Sequence, residues 1–158
     1  MNKLHHYAMQ LVWTGNRGEG TATYRSYDRS YTISIKNKAD FFGTSDAVFR
    51  GDPTKHNPEE LLVMALSSCH LLSYLHLCAV NGIVLTDYVD EAKGTMEEDA
   101  VKGGYFTDVT LNITMKITDI TKKEIAEKLH HQANKLCFIA NSVNFPVNHN
   151  VVIINNNK

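Results

Sequence analysis

The stretch that decides the fold is NPEELLVMALSSCHLL, residues 57–72. Asn57 is a residue type that caps helices, Pro58 suits the first helical position, and Glu60 has the spacing of a capping-box carboxylate. Gly82 predicts the end of the helix, because glycine readily takes the left-handed conformation. We therefore predict one long helix of about 24 residues and about 36 Å, apolar on nearly every side. Such a helix needs cover from a sheet and from a second element.

The apolar run at residues 61–80 also has about the length that crosses a lipid bilayer. It contains serine and histidine side chains, however, and no second apolar stretch of this length follows. The alternating segments on both sides predict sheet, which needs a buried partner. We predict that the helix lies in a protein core and not in a membrane.

Alternation of apolar and polar residues predicts three strands before the helix, in residues 7–15, 20–27 and 30–36. Residues 37–56 carry punctuating glycine and proline and are predicted to be irregular. A connection of this length in a compact domain is a candidate functional loop.

Strand patterns resume after the helix in residues 82–96 and 105–118. Thr121 and Glu124 have the spacing of a second capping box, which opens an amphipathic helix. Residues 145–154 predict a last strand. The order β-β-β-α-β-β-α-β is typical of an α+β fold, with helices against mainly antiparallel sheet.

The chain has 158 residues, of which 43% are hydrophobic and 21% are charged. This length and composition predict a single globular domain over residues 1–158. The net charge is −1 and the basic residues are scattered, which argues against nucleic acid or an acidic membrane as partner. The cysteine count is three, without close-set pairs, and no signal peptide is visible. A reducing cytoplasm is therefore the expected location.

The cysteines are the candidate chemical groups. Cys69 and Cys78 are nine residues apart on one predicted helix. At about 100° per residue they point to opposite sides and cannot pair. Cys137 lies on another element, and its spacing leaves open whether it meets Cys69. A buried cysteine is more often an inert small apolar residue than a reactive one.

A thiol within a buried helix keeps a high pKa unless a cation comes near. Arg50, in the loop seven residues before the helix cap, offers a permanent charge that could hold a thiolate. Glu59 lies almost three turns before Cys69 and could hold Arg50 in a bidentate pair. The alternatives are a solvated loop residue for Arg50 and a favourable helix-terminus charge for Glu59.

Three segments, NPEELLVMALSSCH, FRGD and CFIANSVNFPV, together resemble the OsmC/Ohr family of osmotically induced proteins and organic hydroperoxide resistance proteins. The resemblance covers nearly the whole chain, including the element order. It implies a two-cysteine peroxidase for organic hydroperoxides, built as an intertwined homodimer with sites at the subunit interface. It also implies that Cys69 is the peroxidatic cysteine, that Cys137 is the resolving cysteine, and that Glu59 orients the arginine.

The two branches of this family take the arginine from different places. In the organic hydroperoxide resistance branch it comes from an early glycine-rich turn, which here contains Arg17. In the OsmC branch it comes from the loop before the helix, which favours Arg50. We assign the role to Arg50, with Arg17 as the alternative. Cys78 has no counterpart in the motif and is assigned to core packing.

The chemistry implied is attack of the Cys69 thiolate on the peroxide, which leaves a sulfenic acid that Cys137 converts to a disulfide. An external dithiol must then reduce the disulfide, and the family suggests a lipoyl-bearing protein. No metal, haem or flavin is expected. The adjacent His70 points about 100° away and is predicted to be a poor base for Cys69.

Two other functions fit the same pattern. A non-enzymatic ligand-binding or redox-sensing protein would keep Cys69 buried and unreactive. A hot-dog thioesterase also wraps a sheet around a long helix, but this helix has no mid-helix Asp or Glu to act as its base.

Overall fold

The computed structural model describes residues 3–101 and 103–156. The chain divides into two compact units, one extending to Leu61 and one beginning at Leu62. Its elements are the strands β1 (Gln10–Trp13), β2 (Tyr31–Ser34), β3 (Phe41–Gly43), β4 (Leu85–Asp90), β5 (Lys93–Asp99), β6 (Gly103–Ile117) and β7 (Val147–Asn155), and the helices α1 (Pro58–Val80) and α2 (Lys123–Leu136). The predicted α+β class is confirmed, with seven strands in the described residues where six were predicted.

The first unit contains a three-stranded antiparallel sheet in the order β1-β2-β3. The strand predicted at residues 20–27 is wrong, because this stretch forms turns. The Asn16 side chain accepts from Gly20 N at 3.0 Å, and Ser26 Oγ donates to Gly20 O at 3.0 Å. Such local side-chain bonds compete with a strand ladder. The third strand is instead β3, a three-residue strand inside the stretch predicted to be irregular.

The second unit contains a mixed sheet built on the long strand β6. Strands β4 and β5 pair with β6 antiparallel, and β7 pairs with it parallel. The single strand predicted at residues 82–96 is wrong, because the chain breaks there into β4 and β5. Asn112 occupies the break: its N–H donates to Asp90 Oδ1 at 2.9 Å, and its amide donates to Glu91 O at 3.0 Å.

The predicted boundaries of α1 are confirmed. Asn57 Oδ1 accepts from Glu60 N at 2.8 Å, and Glu60 Oε2 accepts from Asn57 N at 3.3 Å, which completes the capping box. Gly82 has a φ of 63°, and Ile83 N donates back to Cys78 O at 2.9 Å. Both ends are therefore satisfied by local bonds.

The predicted capping box of α2 is wrong. Thr121 lies in a short 3-10 turn, Ile120–Lys122, and its own N–H is bound by Asp119 Oδ1 at 3.0 Å. The Thr121 hydroxyl also donates to that carboxylate. Asp119 therefore caps the 3-10 turn. Lys122, the last residue of that turn, is the N-cap of α2, and its side chain makes no capping hydrogen bond.

One side of α1 is buried and the other is open in this chain. The buried side chains are Leu66, His70, Tyr74, Leu77 and Cys78. Alternate residues of β6 contribute the largest share of the core: Val109, Leu111, Ile113, Met115 and Ile117. The exposed apolar side chains of α1 are Met64, Leu72, Leu75 and Val80. We predicted that α1 is packed against other elements on every side. Within the described residues of one chain, only one side of α1 is packed in this way.

By length and composition, α1 is the one helix in the described ranges that could cross a bilayer. Core helices of globular proteins share this property. The polar side chains on its buried side bind other elements of the second unit: Ser67 donates to Asp90, and the Tyr74 hydroxyl donates to Ala126 O at 3.1 Å. These bonds support the prediction of a core helix.

Candidate active site

Cys69 and Cys137 lie side by side in the second unit, a contact that their spacing in the sequence could not decide. Cys69 is half-buried in α1, and Cys137 is buried at the C-terminal cap of α2. Both are free thiols, and the Cys137 thiol is hydrogen-bonded to Cys69. The Cys137 sulfur also accepts from the N–H of Ala140 at 3.3 Å. The two thiols are therefore neighbours and form a candidate disulfide pair.

The two sulfurs have different surroundings. Burial, and then the hydrogen bond to Cys69, raise the pKa of Cys137 to about 11. Cys137 consequently keeps its proton at neutral pH and donates it toward Cys69. Cys69 is the less buried of the two and the one that a solute reaches more easily. This asymmetry distinguishes an outer sulfur from an inner one.

Cys78 is buried elsewhere in the core, two residues before the end of α1. It contacts the Tyr74 hydroxyl, and burial raises its thiol pKa. It is not part of the Cys69–Cys137 pair, which agrees with its assignment to core packing.

Arg50 lies in the first unit, after a 3-10 turn formed by Ala47–Phe49. Its backbone is left-handed, with φ 68°, a conformation that costs a non-glycine residue about 1–3 kcal/mol. In the parts of the chain that the structure describes, its guanidinium has no hydrogen bond or ion pair. It borders a cavity of about 370 Å³, and the lining residues are Asp28, Arg29, Ser30, Thr44, Arg50, Gly51, Asp52 and Lys55.

Arg17, the alternative to Arg50, is engaged within its own turn. Its guanidinium donates to the backbone oxygens of Ser26 and Arg25, and it lies 3.9 Å from Asp28 Oδ1. Of the two candidate arginines, Arg50 is therefore the one whose charge is not already committed.

Glu59 lies in the first turn of α1, beside Tyr31 of β2. The charge of Glu59 adds to burial, the larger cause, in raising the pKa of Tyr31. The Oε2 atom of Glu59 is buried and has no hydrogen-bond partner within residues 3–101 and 103–156. No bond joins Glu59 to Arg50 in this structure, so their pairing stays a prediction. A buried carboxylate oxygen in this state can accept a strong donor such as a guanidinium.

Sequence reasoning missed a group of buried aromatic side chains next to the cysteine pair. His70 Nε2 lies 3.0 Å from His130 Nδ1, and the Tyr74 ring stacks on His130 with centroids 3.8 Å apart. His70 does follow Cys69 directly, but its partner was not expected. The available signal was the position of His130 seven residues before Cys137, on nearly the same side of a helix.

These histidines do not form a metal site in this arrangement. Over the described ranges, no group of three or more His, Cys, Asp or Glu side chains is placed to hold a metal ion. The His70–His130 contact instead directs one ring nitrogen at another.

The sequence model of the OsmC-like protein family matches residues 51–152. YmaD of Bacillus subtilis (strain 168), an uncharacterized protein, is 24% identical over 147 residues, which cover 88% of this chain and 87% of YmaD. An OsmC-like protein of unknown function from Vibrio cholerae O1 biovar eltor superposes with a TM-score of 0.83 at 26% identity, covering 94% of this chain and 100% of that one.

An organic hydroperoxide resistance protein from Legionella pneumophila has the same fold, with a TM-score of 0.69 at 18% identity over 96% of this chain and 98% of its own. The matched range begins directly after Arg50 and includes the whole of α1, Cys69 and Cys137. The match covers well over half of the sequence. The chain therefore belongs to the OsmC-like protein family.

Proposed function

We propose that this protein is a thiol-dependent peroxidase that reduces organic hydroperoxides to alcohols. The observation that carries the proposal is the Cys69–Cys137 contact, in which an outer sulfur lies beside an inner, protonated thiol. Family membership and the similarity to the Legionella organic hydroperoxide resistance protein support a peroxide-related redox role.

In the first step the Cys69 thiolate attacks the terminal oxygen of the hydroperoxide. The O–O bond breaks, the alkoxide leaves and takes a proton as the alcohol, and Cys69 becomes a sulfenic acid. In the second step Cys137 attacks the Cys69 sulfur. Its thiol proton and the sulfenic hydroxyl leave as water, and a disulfide forms. The hydroperoxide has then taken two electrons from the two thiols.

Arg50 and Glu59 complete the proposed site. The uncommitted Arg50 guanidinium would stabilise the thiolate and the departing oxygen, and the unpartnered Glu59 carboxylate would orient it. The engagement of Arg17 inside its turn supports the choice of Arg50. No step of this sequence calls for a metal or an organic cofactor.

Turnover requires an external dithiol to reduce the disulfide, and we propose a lipoyl-bearing protein for this role. A reducing cytoplasm is the compartment in which such a cycle would run. Dihydrolipoamide should support repeated reduction of cumene hydroperoxide, whereas equal turnover with glutathione alone would contradict a dedicated dithiol.

We also propose that two copies of the chain assemble through α1. Leu72 is 67% exposed and Val80 is 64% exposed on the open side of this helix. An apolar stripe of this kind on the open side of a helix is typical of a subunit interface. Sedimentation at micromolar concentration should give a dimer, and a monomer would exclude this arrangement.

The decisive experiment is intact-mass and peptide mass spectrometry after one equivalent of cumene hydroperoxide. We expect a Cys69–Cys137 disulfide and one equivalent of cumyl alcohol. Cys137→Ser should consume one equivalent and stop at a sulfenic acid that dimedone traps. Cys69→Ser should consume none, and Cys78→Ser should behave as wild type. Unmodified Cys69 in the wild-type protein would favour the non-enzymatic, ligand-binding alternative.

A further inference from the structure

Two buried histidines take part in the contact between α1 and α2. His70 is 1% exposed and His130 is 0% exposed, and their ring nitrogens Nε2 and Nδ1 are 3.0 Å apart. Neither ring takes part in the peroxidase steps described above.

The neighbours of His130 decide which nitrogen donates. His130 Nε2 lies 3.4 Å from the sulfur of Met115, and a thioether can only accept. His130 therefore carries its proton on Nε2, and its Nδ1 is the acceptor for Nε2–H of His70. The other ring nitrogen of His70, Nδ1, is buried without a partner among the residues described. The bond to His130 is thus the polar contact that holds the His70 ring.

Each histidine of this bond is on the same helix as one of the two thiols. On α1, His70 follows Cys69 directly, and on α2, His130 precedes Cys137 by seven residues. Seven residues are about two helical turns, so both side chains lie on nearly the same face. The N–H of Cys137 still bonds to Ala133 O at 2.9 Å, which keeps Cys137 within the hydrogen-bonded helix. A constraint at His130 therefore also positions Cys137.

We propose that the His70–His130 hydrogen bond is the positioning device for the resolving step, holding the end of α2 against α1 so that Cys137 stays beside Cys69. As a role in turnover, this inference rests on the proposed function. As a property of the dithiol pair, it can be measured without any peroxide.

The bond favours disulfide formation because it raises the fraction of the reduced protein in which the two thiols are in contact. Once the disulfide has formed, the covalent link holds the two helices by itself. In the reduced protein, loss of the bond lets the end of α2 move, which lowers the population whose thiols are in contact. The effective concentration of one thiol at the other falls by the same factor.

The bond persists near neutral pH. Burial lowers the pKa of His70 to about 4 and that of His130 to about 3, with nearby histidines adding to the effect. The titratable groups that face the pair are Tyr74 of α1, His131 of α2 and His149 of β7.

A matched pair of amides at position 130 tests the inference. His130→Asn places its amide oxygen near the former Nδ1, so it can still accept from His70. His130→Gln places its amide one methylene further out, near the former Nε2, where it can donate to Met115 but leaves His70 unpaired. His131→Gln is the control on the exposed side of α2.

Each protein is equilibrated with reduced and oxidised dithiothreitol, and the Cys69–Cys137 disulfide is quantified by alkylation and mass spectrometry. The protein pair loses two electrons and two protons to the oxidised reagent. Because a neutral hydrogen bond controls the contact, His130→Gln should lower the equilibrium constant about ten-fold, with His130→Asn and His131→Gln within about two-fold of wild type.

A folded His130→Gln protein with the wild-type constant would overturn the inference. If circular dichroism shows that His130→Gln is unfolded, His70→Asn takes its place: its shorter amide does not reach His130 Nδ1, so it should show the same loss. A wild-type constant in folded His70→Asn would overturn the inference equally. Wild-type protein that forms the disulfide in this buffer but not with cumene hydroperoxide would contradict the proposed function alone.

Discussion

The Tyr74 hydroxyl donates to the backbone oxygen of Ala126 at 3.1 Å, and this bond ties α1 to α2 one helical turn from the His70–His130 contact. Tyr74 is fully buried, and its ring stacks on His130. Two hydrogen bonds and the stacking of Tyr74 on His130 thus join α1 to α2.

Tyr74→Phe should lower the free energy of unfolding by about 1 kcal/mol, since the ring stays and one hydrogen bond is lost. Urea denaturation at pH 7 measures this change. An unchanged midpoint would show that the bond contributes nothing to stability.

Tyr88 provides the opposite case. Its hydroxyl is buried and has no hydrogen-bond partner in the described part of the chain. Burial, and then the charge of Asp90, raise the pKa of this phenol. Tyr88→Phe removes a polar atom that costs free energy to bury, so unfolding should become harder by up to about 1 kcal/mol. The same urea titration measures this change in the free energy of unfolding. If Tyr88→Phe lowered that free energy as much as Tyr74→Phe does, the Tyr88 hydroxyl would have a hydrogen-bond partner, contrary to this prediction.

The parts of the fold that could be predicted are those that depend on local signals. Asn57 and Glu60 satisfy each other across three residues, and Gly82 supplies a left-handed stop, so both ends of α1 follow from residue types. Strand β3 escaped prediction because three residues are too few to show alternation. At α2, Thr121 has the right spacing to cap, but Asp119 binds its N–H first.

From the residues alone the candidate site was predictable only in its members, and the pairing of Cys69 with Cys137 was an expectation from the family resemblance. Cys69 and Cys137 are conspicuous residues, but their contact depends on how α2 packs on α1, which no spacing in the sequence records. The His70–His130 bond depends on the same packing and on Met115 of β6, which fixes the tautomer. Both contacts join segments that are far apart in the sequence, so local sequence patterns could not predict them.

The buried histidines predict acid sensitivity. In the unfolded chain a histidine titrates near pH 6.5, whereas His70 and His130 have pKa values of about 4 and about 3. Between these values the unfolded state binds more protons, so the free energy of unfolding is highest above pH 6.5 and falls as the pH drops.

From pH 7 to pH 5 the loss should be about 2 kcal/mol for each histidine, or about 4 kcal/mol for the pair. His149, whose pKa burial also lowers, acts in the same direction. Urea titrations at the two pH values give the difference directly. His130→Asn should lose roughly half as much as wild type over the same interval, because one of the two groups is gone. Equal losses in both proteins would show that other groups control the acid response.

Arg50 allows the backbone and the side chain to be tested separately. Arg50→Gly removes the guanidinium and also relieves the left-handed backbone, so unfolding should become harder by about 1 kcal/mol. Arg50→Met removes the guanidinium but keeps the backbone cost. If the charge activates Cys69, both variants should reduce cumene hydroperoxide at least about ten-fold more slowly than wild type. Arg17→Met should retain most of the wild-type rate, since that guanidinium is committed to its own turn. A normal rate in both Arg50 variants with a collapse in Arg17→Met would transfer the activating role to Arg17.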